Sequence, residues 1–144
     1  MKTEKGSFNF YAEQYFRFKN YYKISIDTQE HVRKVTTELI HHFKLPEAKV
    51  EFNKNQPDPA YRYQGNHQAI FCFPDNKNRR VTFVDVCHEV AHHFQYSKFG
   101  NTKDDKELFP IMEQMLLYCE NHNYWRGNFG KNRENVIDRS SLEA

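Results

Sequence analysis

Two histidines four residues apart, with a glutamate directly after the first, are the side chains of this sequence best suited to chemistry. They are His88 and His92, and the glutamate is Glu89. On a helix, residues i and i+4 lie one above the other on the same face, so both imidazoles can bind one metal ion. Glu89 points off that line but can still reach a water molecule on the metal. This is the H-E-x-x-H arrangement found in zinc peptidases.

The chemistry that this pattern predicts is hydrolysis of a peptide bond. A catalytic zinc ion takes three protein ligands in tetrahedral geometry and leaves the fourth position to water, whose pKa falls to about 7. Glu89 would accept the proton of that water and later give it to the leaving amine. The sequence therefore predicts Zn²⁺ as cofactor, His88 and His92 as ligands, Glu89 as general base, and a protein or peptide as substrate.

This motif rarely arises by chance. With 8 histidines in 144 residues, an accidental H-E-x-x-H has a chance of roughly a few per cent, which favours a real metal site.

The other histidines lack ligand spacing. His93 is turned about 100° from His92 on a helix, so we expect it at the surface or beside a ligand, but not on the metal. The remaining histidines without ligand spacing are His31, His41, His42, His67 and His122.

A helix must carry the motif, and other elements must pack around it. Thr82 with Asp85 three residues later predicts the start of this helix, and Gly100 its end. Before it, helical spacing predicts an aromatic helix, whose apolar face consists of Phe8, Tyr11, Tyr15, Phe18 and Tyr22. A second helix is predicted from the N-cap Asp27 to Pro46. A strand at 48–52 and a hairpin over 60–73 follow it. A last helix is predicted from Asp104 or Glu107 to about Asn121.

These elements predict one α+β domain over residues 1–144. A small three-stranded sheet, antiparallel or mixed, would pack on the motif helix and its flanking helices, as in zincins. The stretch 122–144, rich in Asn, Arg, Gly and Ser, is predicted to be a flexible tail. The strand at 68–73 is predicted to be an exposed edge that could pair with an extended substrate.

The composition excludes some classes of protein and leaves others open. Formal net charge is +2, from 21 basic and 19 acidic residues, so a nucleic-acid partner is possible but unsupported. No apolar run approaches the length of a membrane span, and the N-terminus lacks a signal-peptide core, which predicts a cytoplasmic protein with no membrane partner. Cys72, Cys87 and Cys119 are predicted to be buried free thiols in a reducing compartment.

Residues 28–120 resemble the SprT-like zinc metalloproteases. The order of elements is similar, and "VTFVDVCHEVAHHFQY" fits the active-site helix of that family. The family's third zinc ligand is a histidine near the start of the last helix, and the corresponding segment here is "DDKELF". The resemblance implies Asp104 as third ligand, or Asp105 in the neighbouring alignment. Asp104 is also in phase with the apolar stripe of the last helix, where an N-cap role would explain it equally well.

Two alternatives stay open for the function. In a gluzincin-like site the third ligand is a glutamate on a later helix, and Glu113 lies 21 residues beyond His92; Glu107 and Glu120 are weaker candidates. A zinc-binding interaction module that cleaves nothing is the other alternative. The group that would stabilise the oxyanion is unassigned, and the candidates by residue type are Tyr61, Tyr63 and Tyr96.

Overall fold

The computed structural model describes residues 9–64 and 68–122, and these form an α+β fold. The four α-helices are α1 (Phe10–Phe18), α2 (Gln29–His42), α3 (Phe83–Phe99) and α4 (Leu108–Asn121). The five strands are β1 (Ser25–Ile26), β2 (Ala48–Asn53), β3 (Ala60–Gln64), β4 (Gln68–Pro74) and β5 (Val81–Thr82). A short 3-10 helix, Tyr21–Lys23, follows α1. The predicted class is confirmed, and the predicted helices and longer strands occur in the predicted order. The short strands β1 and β5, which pair antiparallel with each other, were not predicted.

The three longer strands make a mixed sheet with the order β2-β4-β3. β2 runs parallel to β4, and β3 runs antiparallel to it. The prediction that the strand at 68–73 is an exposed edge is wrong, because β4 is hydrogen-bonded on both sides and buried from Ala69 to Pro74. Its continuous apolar run is typical of a strand covered on both faces. β2 and β3 are the edges of this sheet among the residues described.

The second helix begins one residue later than its sequence indicates. Thr28 is the N-cap, not Asp27, and its hydroxyl accepts a hydrogen bond from the backbone N–H of His31. This hydrogen bond satisfies one of the open N–H groups of the first turn, which is the role predicted for Asp27. The apolar stripe predicted for this helix is Val32, Val35, Leu39, Ile40 and Phe43. The first four are buried, and Phe43, the C-cap residue, is partly buried.

The first helix buries a different face from the one predicted. Phe10, Gln14 and Phe18 are buried, whereas Tyr11 and Tyr15 are 60% and 56% exposed. Phe10 stacks on Phe109 of α4 with ring centroids 4.7 Å apart, and this contact sets the rotation of the helix. The prediction that the helix packs on the core is confirmed, and Phe18 is buried as predicted, but the rest of the buried face is rotated by about one residue. Phe8, the first residue of the predicted face, lies outside the described residues.

The motif helix α3 lies at the centre of the packing. Thr82 and Asp85 form the predicted capping box, and Gly100 ends the helix in the left-handed conformation, with φ 78°. Side chains are buried around most of its circumference because helices α2 and α4 and strand β3 all contact it. A helix held on several sides is a rigid support for ligand side chains.

The last helix begins later than Asp104. Its first residue is Leu108, and the residue at its N-cap, Glu107, makes no capping hydrogen bond with its side chain. Asp104 therefore lies in the irregular segment between α3 and α4, and the N-cap role considered for it is wrong. The apolar stripe of α4 is buried as predicted, at Leu108, Met112, Met115 and Cys119.

The three cysteines are free and buried, as their sequence context predicts. The flexible tail was predicted to begin at residue 122; residues 123–144 lie outside the described residues, as does the hairpin turn at 65–67. Among the described residues, no helix has the length and apolar character needed to cross a membrane.

Candidate metal centre

The two histidines of the motif face each other across one turn of α3. Both are buried, and their Nε2 atoms lie 3.1 Å apart. Asp104 reaches them from the segment after the helix, with Oδ1 2.8 Å from Nε2 of His92 and 3.3 Å from Nε2 of His88. The structure thus brings together the three side chains predicted as metal ligands.

The spacing of these three atoms fits a small tetrahedral metal ion. Zinc bound to nitrogen and oxygen at 2.0–2.2 Å requires neighbouring ligand atoms to lie about 3.3 Å apart. The separations of 3.3 and 3.1 Å lie close to that value. The 2.8 Å between Nε2 of His92 and Oδ1 of Asp104 is about 0.5 Å shorter, so these two side chains would move slightly apart around an ion. Two imidazole nitrogens and one carboxylate oxygen are also a ligand set that zinc accepts.

The hydrogen bonds at the far side of each imidazole determine where its proton lies. Nδ1 of His88 is 2.6 Å from Oε1 of Gln14, and Nδ1 of His92 is 3.1 Å from Oε1 of Gln95. The amide nitrogen of Gln95 donates to the carbonyl of Lys103, which leaves its oxygen facing His92. Each Nδ1 therefore donates a proton, and in the neutral ring Nε2 carries a lone pair. Two lone pairs and a carboxylate pointing at one spot are an arrangement that a cation stabilises.

Helix α1 contributes more to this site than Gln14. The hydroxyl of Tyr11 donates to Oδ2 of Asp104 at 3.0 Å, and its ring stacks on the imidazole of His88 with centroids 5.9 Å apart. Phe10 contacts the same imidazole edge-on, with centroids 5.5 Å apart. Sequence reasoning missed Tyr11 and Gln14. Only Gln14 left a signal, as a polar residue spaced four from Phe10 and from Phe18 on one helix face.

The carboxylates of the site differ in their affinity for protons. Burial raises the pKa of Glu89, whose Oε2 lies 4.0 Å from Nε2 of His88. The two imidazoles, which donate to Asp104 from Nε2 when they are protonated, hold the pKa of Asp104 well below its usual range. Glu89 is thus the group with the properties of a proton acceptor, and Asp104 stays ionised as a ligand must.

The pKa of His92 results from opposing effects. Burial lowers it, but the hydrogen bonds with Asp104 and Gln95 outweigh burial, and the pKa is raised. Protons therefore compete for this ring at a higher pH than for a free imidazole. The carboxylate that attracts the proton is the one positioned to share a metal ion with the same nitrogen.

A cleft of about 430 Å³ opens beside Glu89. Its lining includes His88, Asp58 and Pro59, and its tyrosines are Tyr11 and Tyr22. The tyrosines considered for the oxyanion lie elsewhere. Tyr61 is hydrogen-bonded to His93. The ring centroids of Tyr63 and Tyr96 lie 4.2 Å apart, beside a separate cavity.

His93 is buried, so the prediction of a surface position is wrong. Its Nε2 donates to the carbonyl of Pro46 and its Nδ1 accepts from the hydroxyl of Tyr61, both at 2.7 Å. Burial lowers the pKa of this ring. Both ring nitrogens of His93 are thus engaged away from His88 and His92, and the ring joins α3 to the sheet through Tyr61 and to the segment before β2 through Pro46.

The alternative third ligands lie in other surroundings. Oδ1 of Asp105 accepts from the backbone N–H of Glu107, and the side chain of Glu107 is exposed. Glu113 is exposed on α4. Glu120 is buried and accepts from the hydroxyl of Tyr21 at 2.8 Å. Among the acidic residues between α3 and the end of α4, Asp104 is therefore the one that the structure places within 3.3 Å of both histidines.

Comparison of the chain with protein-family models, with curated proteins and with solved structures found no match. The geometry of the site therefore carries the functional argument.

Proposed function

We propose that this protein is a zinc-dependent metallopeptidase with a zincin-like catalytic domain. The observation that carries the proposal is the convergence of Nε2 of His88, Nε2 of His92 and Oδ1 of Asp104 beside the buried carboxylate of Glu89. These three side chains would hold the metal. The proposal includes kinship with the SprT-like proteases, with Asp104 in the place of the family's third histidine.

Each part of the site has a distinct role in hydrolysis. Zinc bound by the three side chains would supply a water molecule acidic enough to lose its proton near neutral pH. Glu89 takes that proton, because burial raises its pKa and its carboxylate lies 4.0 Å from the imidazole of His88. It then gives the proton to the nitrogen of the leaving amine. Gln14 and Gln95 hold the two imidazoles with Nε2 turned toward the metal.

The substrate proposed is an extended stretch of polypeptide. β3 is an edge strand of the sheet, and Asp58 and Pro59, just before it, line the cleft beside Glu89. An extended peptide that pairs with such an edge gains main-chain hydrogen bonds whatever its sequence. The edge of β3 thus replaces the strand at 68–73, which sequence reasoning considered for this role.

Substitution of Glu89 by Gln tests the enzymatic part of the proposal. The change removes the proton acceptor and leaves both imidazoles and Asp104 in place. We expect hydrolysis of an unstructured peptide library to fall about a hundredfold or more, with zinc content unchanged. Glu113→Gln, the same change at an exposed position of α4, should leave the rate unaltered.

Two results would contradict different parts of the proposal. Cleavage by Glu89→Gln at the wild-type rate would show that Glu89 is not the base. One zinc ion per chain without hydrolysis of any peptide in the library would favour a zinc-binding interaction module instead.

A further inference from the structure

Asp104 has little local structure to hold it. It lies in the irregular segment between α3 and α4, and its side chain is 36% exposed. A carboxylate in such a position ordinarily samples several rotamers, and ordering it costs free energy. Yet Oδ1 lies within 3.3 Å of both histidine Nε2 atoms.

A hydrogen bond to this carboxylate comes from α1, near the N-terminal end of the described residues. The hydroxyl of Tyr11 donates to Oδ2 of Asp104 at 3.0 Å across 93 residues of sequence. The ring of Tyr11 lies nearly parallel to the imidazole of His88, at an angle of 20°. One side chain thus touches two of the three proposed ligands, although Tyr11 is largely exposed and adds little to the core.

We propose that Tyr11 is a positioning residue of the metal centre, which holds Asp104 by Oδ2 so that Oδ1 faces the two histidines. The inference rests on the proposed zinc site and extends it to α1, which lies outside the part of the chain that resembles SprT-like proteases. A donor on Oδ2 occupies the oxygen that would otherwise compete for the metal, and it fixes the rotamer that delivers Oδ1. Outer partners of this kind typically change metal affinity 10- to 100-fold.

Tyr15 provides a matched control for Tyr11. It lies one helical turn further along α1, is similarly exposed, and contacts the ring of Tyr22. Substitution of either tyrosine by phenylalanine removes one hydroxyl and keeps the ring. We expect Tyr11→Phe to weaken zinc binding about tenfold, measured by competition with a chromophoric chelator, and Tyr15→Phe to leave it unchanged.

A double-mutant cycle separates positioning from general stabilisation of α1. If Tyr11 acts through Asp104, its substitution should have no further effect on zinc affinity in an Asp104→Ala background. A residue that only stabilises the packing of α1 would weaken binding equally in both backgrounds. The visible absorption bands of the cobalt-loaded protein give a second measurement, because they depend on the ligands around the ion. They should change in Tyr11→Phe and not in Tyr15→Phe.

The outcomes distinguish this inference from the proposal on which it rests. If the wild-type chain binds zinc but Tyr11→Phe and Tyr15→Phe bind it equally well, the positioning role is wrong and the metal site stands. Equal losses in the wild-type and Asp104→Ala backgrounds would also overturn the positioning role. If the wild-type chain binds no zinc, both proposals are wrong.

Discussion

Two histidines that are neighbours in the chain have opposite surroundings on the two sides of α3. On one side, Nε2 of His92 faces a second imidazole nitrogen and a carboxylate. On the other, Nε2 of His93 donates to a backbone carbonyl and Nδ1 accepts from a tyrosine hydroxyl. Both rings are buried.

Burial and hydrogen bonding, which His92 and His93 share, therefore do not by themselves identify a metal ligand. Both nitrogens of His93 have neutral partners of opposite polarity, so the ring is satisfied within the protein. The Nε2 atom of His92 points at two other electron-rich atoms, and it is this convergence that a cation would stabilise. Substitutions on the His92 side of α3 should therefore change zinc binding, and substitutions on the His93 side should not.

The largest expected effect is the loss of zinc when a ligand on the His92 side is removed. His88→Ala and His92→Ala should each abolish stoichiometric zinc binding, because two ligands do not complete a site. His93→Gln should still carry about one zinc ion per chain. Elemental analysis of the purified variants makes the comparison. Full zinc content in either alanine variant would contradict the assignment of that histidine.

Asp104→Ala should weaken zinc binding more than about a hundredfold, beyond the roughly 10- to 100-fold loss that removal of an outer partner causes, because the two imidazoles that remain hold the ion only weakly. Glu113→Ala should leave the affinity nearly intact, because that side chain is exposed on α4. Asp105→Ala and Glu107→Ala serve as further controls, and chelator competition measures all four. Loss of affinity at Glu113 with retention at Asp104 would instead support a gluzincin-like site.

A smaller effect is expected from pH. The ligands must be neutral imidazoles, and the raised pKa of His92 lets protons compete at a higher pH than for a free ring. Zinc affinity should therefore begin to fall already above about pH 6.5, the pKa of a free imidazole, and should continue to fall below it, roughly tenfold per unit for each ligand that is protonated. His93→Gln should show the same pH dependence. An affinity that does not change between about pH 5 and 7 would exclude histidine ligands.

The smallest effect concerns the side of His93. Tyr61→Phe removes the donor to Nδ1 of His93 and leaves a buried acceptor unpaired, which should lower the free energy of unfolding by about 1–2 kcal/mol. Zinc affinity should be unchanged. Chemical denaturation measures the stability, with Tyr15→Phe as an exposed control. A loss of zinc in Tyr61→Phe at undiminished stability would show that the two sides of α3 are not independent.

The parts of the site that depend on one helix were predictable from the sequence. His88, Glu89 and His92 lie within one and a half turns, so helical spacing alone fixes their relation. The capping pair of Thr82 and Asp85 likewise required only local pattern. Asp104 was predicted as the third ligand from the resemblance to a family. Its predicted position on the apolar stripe of the last helix was wrong, because α4 begins at Leu108.

The contributions from distant segments could not be predicted. Tyr11 meets Asp104 across 93 residues and Gln14 meets His88 across 74, and no local periodicity encodes such contacts. The position of β4 in the sheet was missed for a related reason. Strand order depends on β2 pairing with β4 beyond the hairpin, and hairpin signals indicate only the partner β3.

An anomalous difference map of zinc-loaded crystals, recorded at the zinc absorption edge, would show directly whether His88, His92 and Asp104 bind one zinc ion. The account predicts one peak within bonding distance of Nε2 of His88, Nε2 of His92 and Oδ1 of Asp104, at about 2.0–2.2 Å from each. Such a map needs no substrate and does not depend on the rate of any reaction. A peak bound by Glu113 in place of Asp104, or no peak between His88 and His92, would contradict the account.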